Sequence, residues 1–193
     1  MSKLTLAYPI KPFTITQKFG ENLNPIYAQL GMKGHNGWDM VGWTGQLIRA
    51  SHNGVVTFTG EDSSGGLGVV IRTTEEFDYK EIPTYFKSIF WHCKPNTFKV
   101  KPGDVVKTGD ALAECDSTGQ STSSHLHYGL KPVFQGEKDW EWYNLESDNG
   151  YKGSIDPEPY WSGDYAEDIW NLQSQINFLQ KIVEILKKLL NLK

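Results

Sequence analysis

Ser124-His125-Leu126-His127-Tyr128 decides how this chain is read, together with Gly34-His35-Asn36-Gly37-Trp38-Asp39 earlier in the sequence. On a β-strand successive side chains point to opposite faces, so His125 and His127 project together while Leu126 points into a core. His35 and Asp39 are four apart, a spacing that puts both on one side of either a helix or an extended chain, and Asn36-Gly37 argues against a helix. The chain holds five histidines, and three of them fall in these two segments. A His-x-His pair alone arises often by chance, and His-x-x-x-Asp is weaker still. Their joint occurrence in a histidine-poor chain makes a metal site the stronger reading. Three protein ligands of the types His, Asp and His, with a fourth position left to water, form the pattern of a catalytic rather than a structural zinc site. One histidine is then left over.

The surrounding residues resemble the lysostaphin-type zinc endopeptidases, the M23 or LytM-like family, which cut peptide cross-links of bacterial peptidoglycan. The resemblance rests on His35-Asn36-Gly37-Trp38-Asp39, Gly54-Val55-Val56, Phe90-Trp91-His92, Gly103-Asp104-Val105-Val106, Gly119-Gln120-Ser121-Thr122 and His125-Leu126-His127, in that order. It runs from about residue 14 to Ile155-Asp156-Pro157 and leaves the C-terminus outside. It implies one Zn2+ per chain held by His35, Asp39 and His127. His92 and His125 then match the family's two non-ligand histidines, which hydrogen-bond the water or the developing oxyanion, with His125 as general base. The implied substrate is peptidoglycan. Two departures stand out. Gly129 occupies a position where the family often has glutamate, and Gly65-Gly66-Leu67-Gly68 replaces the family's usual Tyr-Gly-Asn.

Two other classes compete. Val105-Val106 with Gly109-Asp110-Ala111-Leu112-Ala113-Glu114 also resembles a biotinyl or lipoyl carrier, but no lysine sits at a hairpin tip between suitable neighbours; Met32-Lys33-Gly34 is the nearest and is misplaced. A catalytically inactive relative that only grips the wall or activates another enzyme should have lost ligands, and all five residues are present here.

Bulk properties bound the rest. At 193 residues the chain holds one ordinary domain with an appendage. We expect a mainly β, antiparallel, barrel-sandwich-like peptidase domain over residues 1–163 and an amphipathic, coiled-coil-like helix over 164–193. Nineteen basic against twenty-three acidic residues give no field for phosphate backbones, so nucleic acid is not expected as a partner. Cys93 and Cys115 are too few for a disulfide framework and are expected as buried free thiols. Met1 to Ile10 lack the pattern of a secretory signal, and no run reaches the length of a membrane span. The expectation is a product made in the cytoplasm that reaches the wall by lysis, virion delivery or another export route, as a phage lysin would.

Along the chain, strands are expected at Phe13–Phe19, Leu47–Ala50, Gly54–Thr59, Gly68–Thr73 and Ile89–His92, with residues 20–34 a loop. Thr74–Ser88 reads as a hairpin or loop that either borders a substrate groove or decorates the surface. His52, in Ser51-His52-Asn53-Gly54, is expected at the surface. The aromatics Trp140, Trp142, Tyr143, Tyr151, Tyr160 and Trp161 are expected to pack over the open end of a sheet. In the tail, Ile169, Leu172, Ile176, Leu179, Val183, Leu186 and Leu190 recur three and four apart as a coiled-coil seam. β-Branched residues at three of the four a positions with leucine at every d position favour a parallel dimer. Ile182, Ile185 and Leu189 widen the face toward a larger oligomer or packing on the domain, and Lys181, Lys187, Lys188 and Lys193 keep a membrane-surface helix in view. Self-association through this helix is the expectation.

Overall fold

The computed structural model describes residues 1–138 and 141–190. Trp140, Leu192 and Lys193, which the sequence reading includes, lie outside them. The strands are β1 (Leu6–Tyr8), β2 (Ile15–Gln17), β3 (Trp38–Val41), β4 (Leu47–Arg49), β5 (Gly54–Asp62), β6 (Gly66–Arg72), β7 (Phe77–Tyr79), β8 (Ile82–Trp91), β9 (Val105–Val106), β10 (Ala111–Glu114), β11 (His125–Gln135), β12 (Trp142–Asn144) and β13 (Trp161–Tyr165). Two helices join them, α1 (Ile26–Gln29) and α2 (Ala166–Leu189). One antiparallel sheet runs β2-β3-β11-β8-β6-β5-β9, with β12 on β11 and β7 on β8. A β4–β10 pair packs beside it, and β1 pairs in parallel with β13. The architecture is therefore mainly β and antiparallel with one long C-terminal helix, as expected.

The alternation of β11 fixes the two faces of the sheet. Leu126, Tyr128 and Leu130 are fully buried and join Phe90, Ile71, Met40 and Val69 in the core. The other face carries His125, His127, Gly129 and Lys131. Trp161 closes the core edge, its ring 4.9 Å from Tyr128 and 6.0 Å from Trp38. Tyr160 sits on Phe86 and Tyr151 on Phe19. The described aromatics of residues 141–161 are thus mainly packing, with Tyr143 half exposed on Phe134.

Several expectations are corrected. The strand expected over Phe13–Phe19 shortens to β2, and the expected loop 20–34 contains the single turn α1, started where Asn24 Oδ1 accepts the Ile26 N–H at 3.0 Å. That turn buries Tyr27 beside the His35 ring. Residues 77–91 do form a hairpin, β7 on β8, but no residue of Thr74–Ser88 lines the cleft described below. His52 is buried, not superficial. Its turn folds down onto the sheet, so Nδ1 donates to the Asn53 carbonyl (2.8 Å) and Nε2 meets Ser88 Oγ (2.8 Å), which in turn meets the Tyr128 hydroxyl (2.7 Å). The turn is polar yet dry because Ser88, which meets the outer nitrogen of the ring, comes from a strand distant in sequence. Cys93 and Cys115 are buried free thiols, as expected, and burial pushes them up to about 12 and about 11.

The helix α2 docks by its first turn alone. Gly109 lies so close that a Cβ there would stand 2.5 Å from the Ala166 carbonyl and 2.7 Å from Trp170 Cβ, and its positive φ of 96° also favours glycine. Arg49 stacks on Trp170 at 4.9 Å, and Lys11 pairs with Asp168 at 2.8 Å. From Asn171 to Leu190 every residue but Ser174 is exposed.

Burial lowers the His52 pKa from 6.5 to about 4, against a smaller opposing effect of its bond to Asn53. Below 6.5 the unfolded chain takes up a proton that the folded chain refuses. This contribution to stability is complete above pH 6.5 and is lost as pH falls toward 4, up to about 3 kcal/mol at about 1.4 kcal/mol per unit. Thermal stability in the metal-free state should therefore fall across pH 6.5 to 4, and His52→Gln should flatten that decline; an identical pH profile in the variant would show that His52 does not titrate on unfolding.

Candidate metal centre and cleft

Pairing of β3 with β11 sets His127 directly opposite Asp39 and His125 opposite Val41. His35 enters from the residue run just before β3. Gly37, between His35 and Asp39, has no room for a side chain: a Cβ would stand 2.4 Å from the Tyr128 carbonyl oxygen and 2.8 Å from His127 Cε1 and Nε2. The glycine of His-x-Gly-x-Asp lets the segment cross directly over the His127 ring.

Three atoms converge. His35 Nε2 and His127 Nδ1 are 2.9 Å apart, His35 Nε2 is 3.1 Å from Asp39 Oδ1, and His127 Nδ1 is 3.0 Å from the same oxygen. His35 Nδ1 lies 3.2 Å from the Lys18 carbonyl, which can only accept, so the neutral ring carries its proton there and aims a lone pair from Nε2 at the carboxylate. Acceptor atoms crowding one another in this way are a ligand set for a cation. A tetrahedral zinc site with bonds of about 2.0 Å has ligand edges of about 3.3 Å, a few tenths from the edges found. His35, Asp39 and His127 therefore fit zinc by donor type, count and spacing. Burial by itself would raise Asp39, but the adjacent His127 and His35 rings hold it well below the usual carboxylate range. Burial lowers His127, against the pull of Asp39.

Two further histidines, His92 and His125, flank this triad. His92 and His125 ring centroids are 4.5 Å apart, and His125 Nε2 is 3.6 Å from Asp39 Oδ1. Each Nδ1 faces a carbonyl: Thr118 for His92 (2.7 Å) and Ser123 for His125 (2.8 Å). Each neutral ring thus leaves Nε2 as a basic lone pair. Burial, then His125, lower His92 to about 4, so it stays neutral at pH 7. His92 also holds φ at +64°, a left-handed conformation uncommon outside glycine and sustained by the bonds around it.

A cleft of about 300 Å³ opens over these groups. Its walls include Tyr27 of α1, Gly65, Trp91 and the Gln120–Thr122 loop, and its floor continues along β11 through Gly129 to Lys131. The Trp91 ring lies flat on β6, where a Cβ on Gly68 would be 1.8 Å from the ring, and Gly66 and Gly119 meet backbone to backbone. The Gly65-Gly66-Leu67-Gly68 stretch, one of the two departures from the family pattern, thereby seats both the tryptophan and the loop behind His92. At Gly129, the other departure, a Cβ would meet nothing closer than 3.5 Å, and its absence leaves the floor open. Sequence reasoning brought all five site residues together but did not single out Thr118, whose carbonyl orients His92 and whose hydroxyl donates to the Cys93 carbonyl. It also missed the Lys18 carbonyl, since backbone acceptors leave no trace in residue identity.

Residues 33–139 match Peptidase family M23, and the chain belongs to that family. The DD-carboxypeptidase/endopeptidase Mpg of Neisseria meningitidis is 30% identical over 120 residues, 62% of this chain and 25% of that protein. The peptidoglycan DD-endopeptidase ShyC of Vibrio cholerae is 30% identical over 129 residues, 66% of this chain and 27% of that protein. The chain spans about a quarter of the length of these curated relatives. The catalytic domain of lysostaphin from Staphylococcus simulans shares the fold, with a TM-score of 0.56 at 20% identity over 77% of this chain and 91% of that one.

Because Gly37 meets backbone as well as ring, Gly37→Ala should displace His127 and lower bound zinc well below one per chain by elemental analysis while the chain still folds by circular dichroism. Full zinc occupancy in the variant would show that the close approach does not set the ligand geometry.

Proposed function

We propose that this protein is a zinc metalloendopeptidase that hydrolyses peptide cross-links of bacterial peptidoglycan. The observation that carries the reading is the triangle of His35 Nε2, Asp39 Oδ1 and His127 Nδ1 flanked by two further histidines at the base of a cleft. Zinc held there would activate a water and polarise the scissile carbonyl. The family membership and the name of the Vibrio cholerae relative, a peptidoglycan DD-endopeptidase, support the substrate.

The protein's own groups divide the proton work. With its Nδ1–H donating to the Ser123 carbonyl, the neutral His125 ring presents Nε2 as an acceptor 3.6 Å from Asp39, so an imidazolium formed there by taking the water's proton is stabilised by the carboxylate. His125 is therefore the general base, and it returns the proton to the leaving amine. His92, held neutral by burial, accepts a hydrogen bond through Nε2 and orients the attacking water. Trp91 and the loop at Gln120–Thr122 wall the cleft and limit the solvent that reaches these groups.

His127→Ala should remove zinc and hydrolysis together. His125→Ala and His92→Ala should keep stoichiometric zinc yet lower turnover of purified sacculi by about 10²- to 10⁴-fold, the range for positioned acid-base groups. Zinc retained by His127→Ala would break the ligand set, and undiminished turnover in the other two would remove them from the mechanism.

The chain also self-associates through α2 in this reading. Leu172, Ile176, Leu179, Val183, Leu186 and Leu190 are exposed along the seam, with Phe178, Ile182, Ile185 and Leu189 widening it. Most helical stability in proteins comes from packing an apolar face against a partner, and the chain's own domain covers only the first turn of α2. Several chains brought together would raise avidity for a polymeric wall. Light scattering of the full chain at micromolar concentration should give an oligomer that Leu179→Asp with Leu186→Asp converts to monomer; a monomeric wild type would end this part of the reading.

A further inference from the structure

The face of the sheet that carries the histidines also carries a row of cations. Lys131 on β11 is paired in register with Lys87 on β8, and Lys87 with Arg72 on β6. By the two-residue alternation, these three stand on the same side as His127 and Trp91, themselves register partners. Like charges directly opposite one another across strands destabilise a sheet. Here no acid compensates at ion-pair distance: among the described residues Lys131 and Lys87 have no salt bridge, and the acid whose charge is felt at Lys131 is Asp62, set against the like charges of Lys87 and Lys152. Asp62 is itself committed to the N–H groups of Ser64 and Gly65, at 2.9 Å each.

The row is also built rather than splayed into water. All three side chains are half-buried. Arg72 is fixed by the Trp142 ring 3.5 Å from its Cζ, and its Nε is buried without a hydrogen-bond partner. Lys131 lines the same cleft as His35, Asp39 and His127, and Lys152 joins it there. Gly129 separates the two ends with no side chain, so an extended ligand can lie along the floor. Four residues of β11 place the Cα atoms of His127 and Lys131 about 13 Å apart, the span of about four residues of extended peptide.

We propose that Lys131, with Lys87 and Arg72 behind it, is a subsite for a free carboxylate of the peptide substrate, about four residues from the bond aligned with the histidines. The idea rests on the reading of the cleft as a peptidase site. Ammonium groups brought together at the cost of mutual repulsion are matched by an anion, and a peptide substrate carries its anions as carboxylates. Lys131 is a specificity-determining residue in this view and takes no part in the bond cleavage.

The test compares two short peptides, identical except that the carboxylate at that distance is free in one and amidated in the other. Their dissociation constants for the zinc-loaded full chain are measured by calorimetry at low and high salt. The free carboxylate should bind at least about tenfold more tightly, the advantage should shrink with salt, and Lys131→Met should bring the ratio of the two affinities to about one. Relief of repulsion should leave the thermal stability of Lys131→Met equal to or above that of the wild type, which separates a binding role from a structural one. Equal affinities in the wild type, or an unchanged ratio in Lys131→Met, would overturn the proposal. Displacement of the acidic peptide by inorganic phosphate at lower concentration than by acetate would do so too, marking a phosphate site instead. If the affinity ratio behaves as expected but no peptide or sacculus is cleaved, the subsite stands and the hydrolytic reading falls.

Discussion

The register of β3 against β11 is the constraint on which the rest depends. It places Asp39 opposite His127, and a slip of one residue would turn His127 into the core and Leu126 into the cleft. The register is held from the core side. Leu126 pairs with Met40 and Tyr128 with Trp38, and all four side chains are buried. Hydrophobic burial on one face thus supplies the precision that the polar face needs, since three mutually repelling acceptors cannot organise themselves.

Much of this was legible in the sequence because it is written in short periods. His125 and His127 with Leu126 between them state a strand and its two faces, and His35 with Asp39 states the other side of the site. The glycines of the family pattern were legible as positions, but their reasons were not. Gly37 is needed because the Tyr128 carbonyl and the His127 ring occupy the space of its Cβ, a contact between residues far apart in the chain. His52 failed for the same kind of reason. Its neighbours Ser51, Asn53 and Gly54 describe a turn correctly, while its burial is decided by Ser88 on another strand. The one-turn α1 was invisible because four residues carry no periodicity, yet it brings Tyr27 against His35.

The orientation of the imidazoles belongs to the same class of hidden information. Three of the site histidines take their tautomer from backbone carbonyls, at Lys18, Thr118 and Ser123. Carbonyl acceptors are offered by every residue, so only the fold decides which ones are near a ring. An imidazole fixed in this way does not depend on any one side chain, and His35 takes its orientation from the Lys18 carbonyl. The conformational cost is concentrated at His92, whose left-handed φ turns the chain so that Nδ1 reaches the Thr118 carbonyl.

The two ends of the cleft show the same alternation used for opposite charges. At one end β11 contributes neutral imidazoles to a carboxylate that is kept ionised; four residues on, it contributes an ammonium to a row of cations. Between them the floor is bare at Gly129. A sheet built for stability alone would pair Lys131 with an acid on β8, since opposite charges across strands are favourable and like charges are not. The face instead keeps positive charge exposed to the cleft while the overall chain is acidic, with a net charge of −4. Charge of one sign held on a concave face against the sign of the whole molecule acts locally, within roughly the 8–10 Å over which salt leaves fields unscreened, so it selects among ligands already in the cleft rather than drawing them from solution.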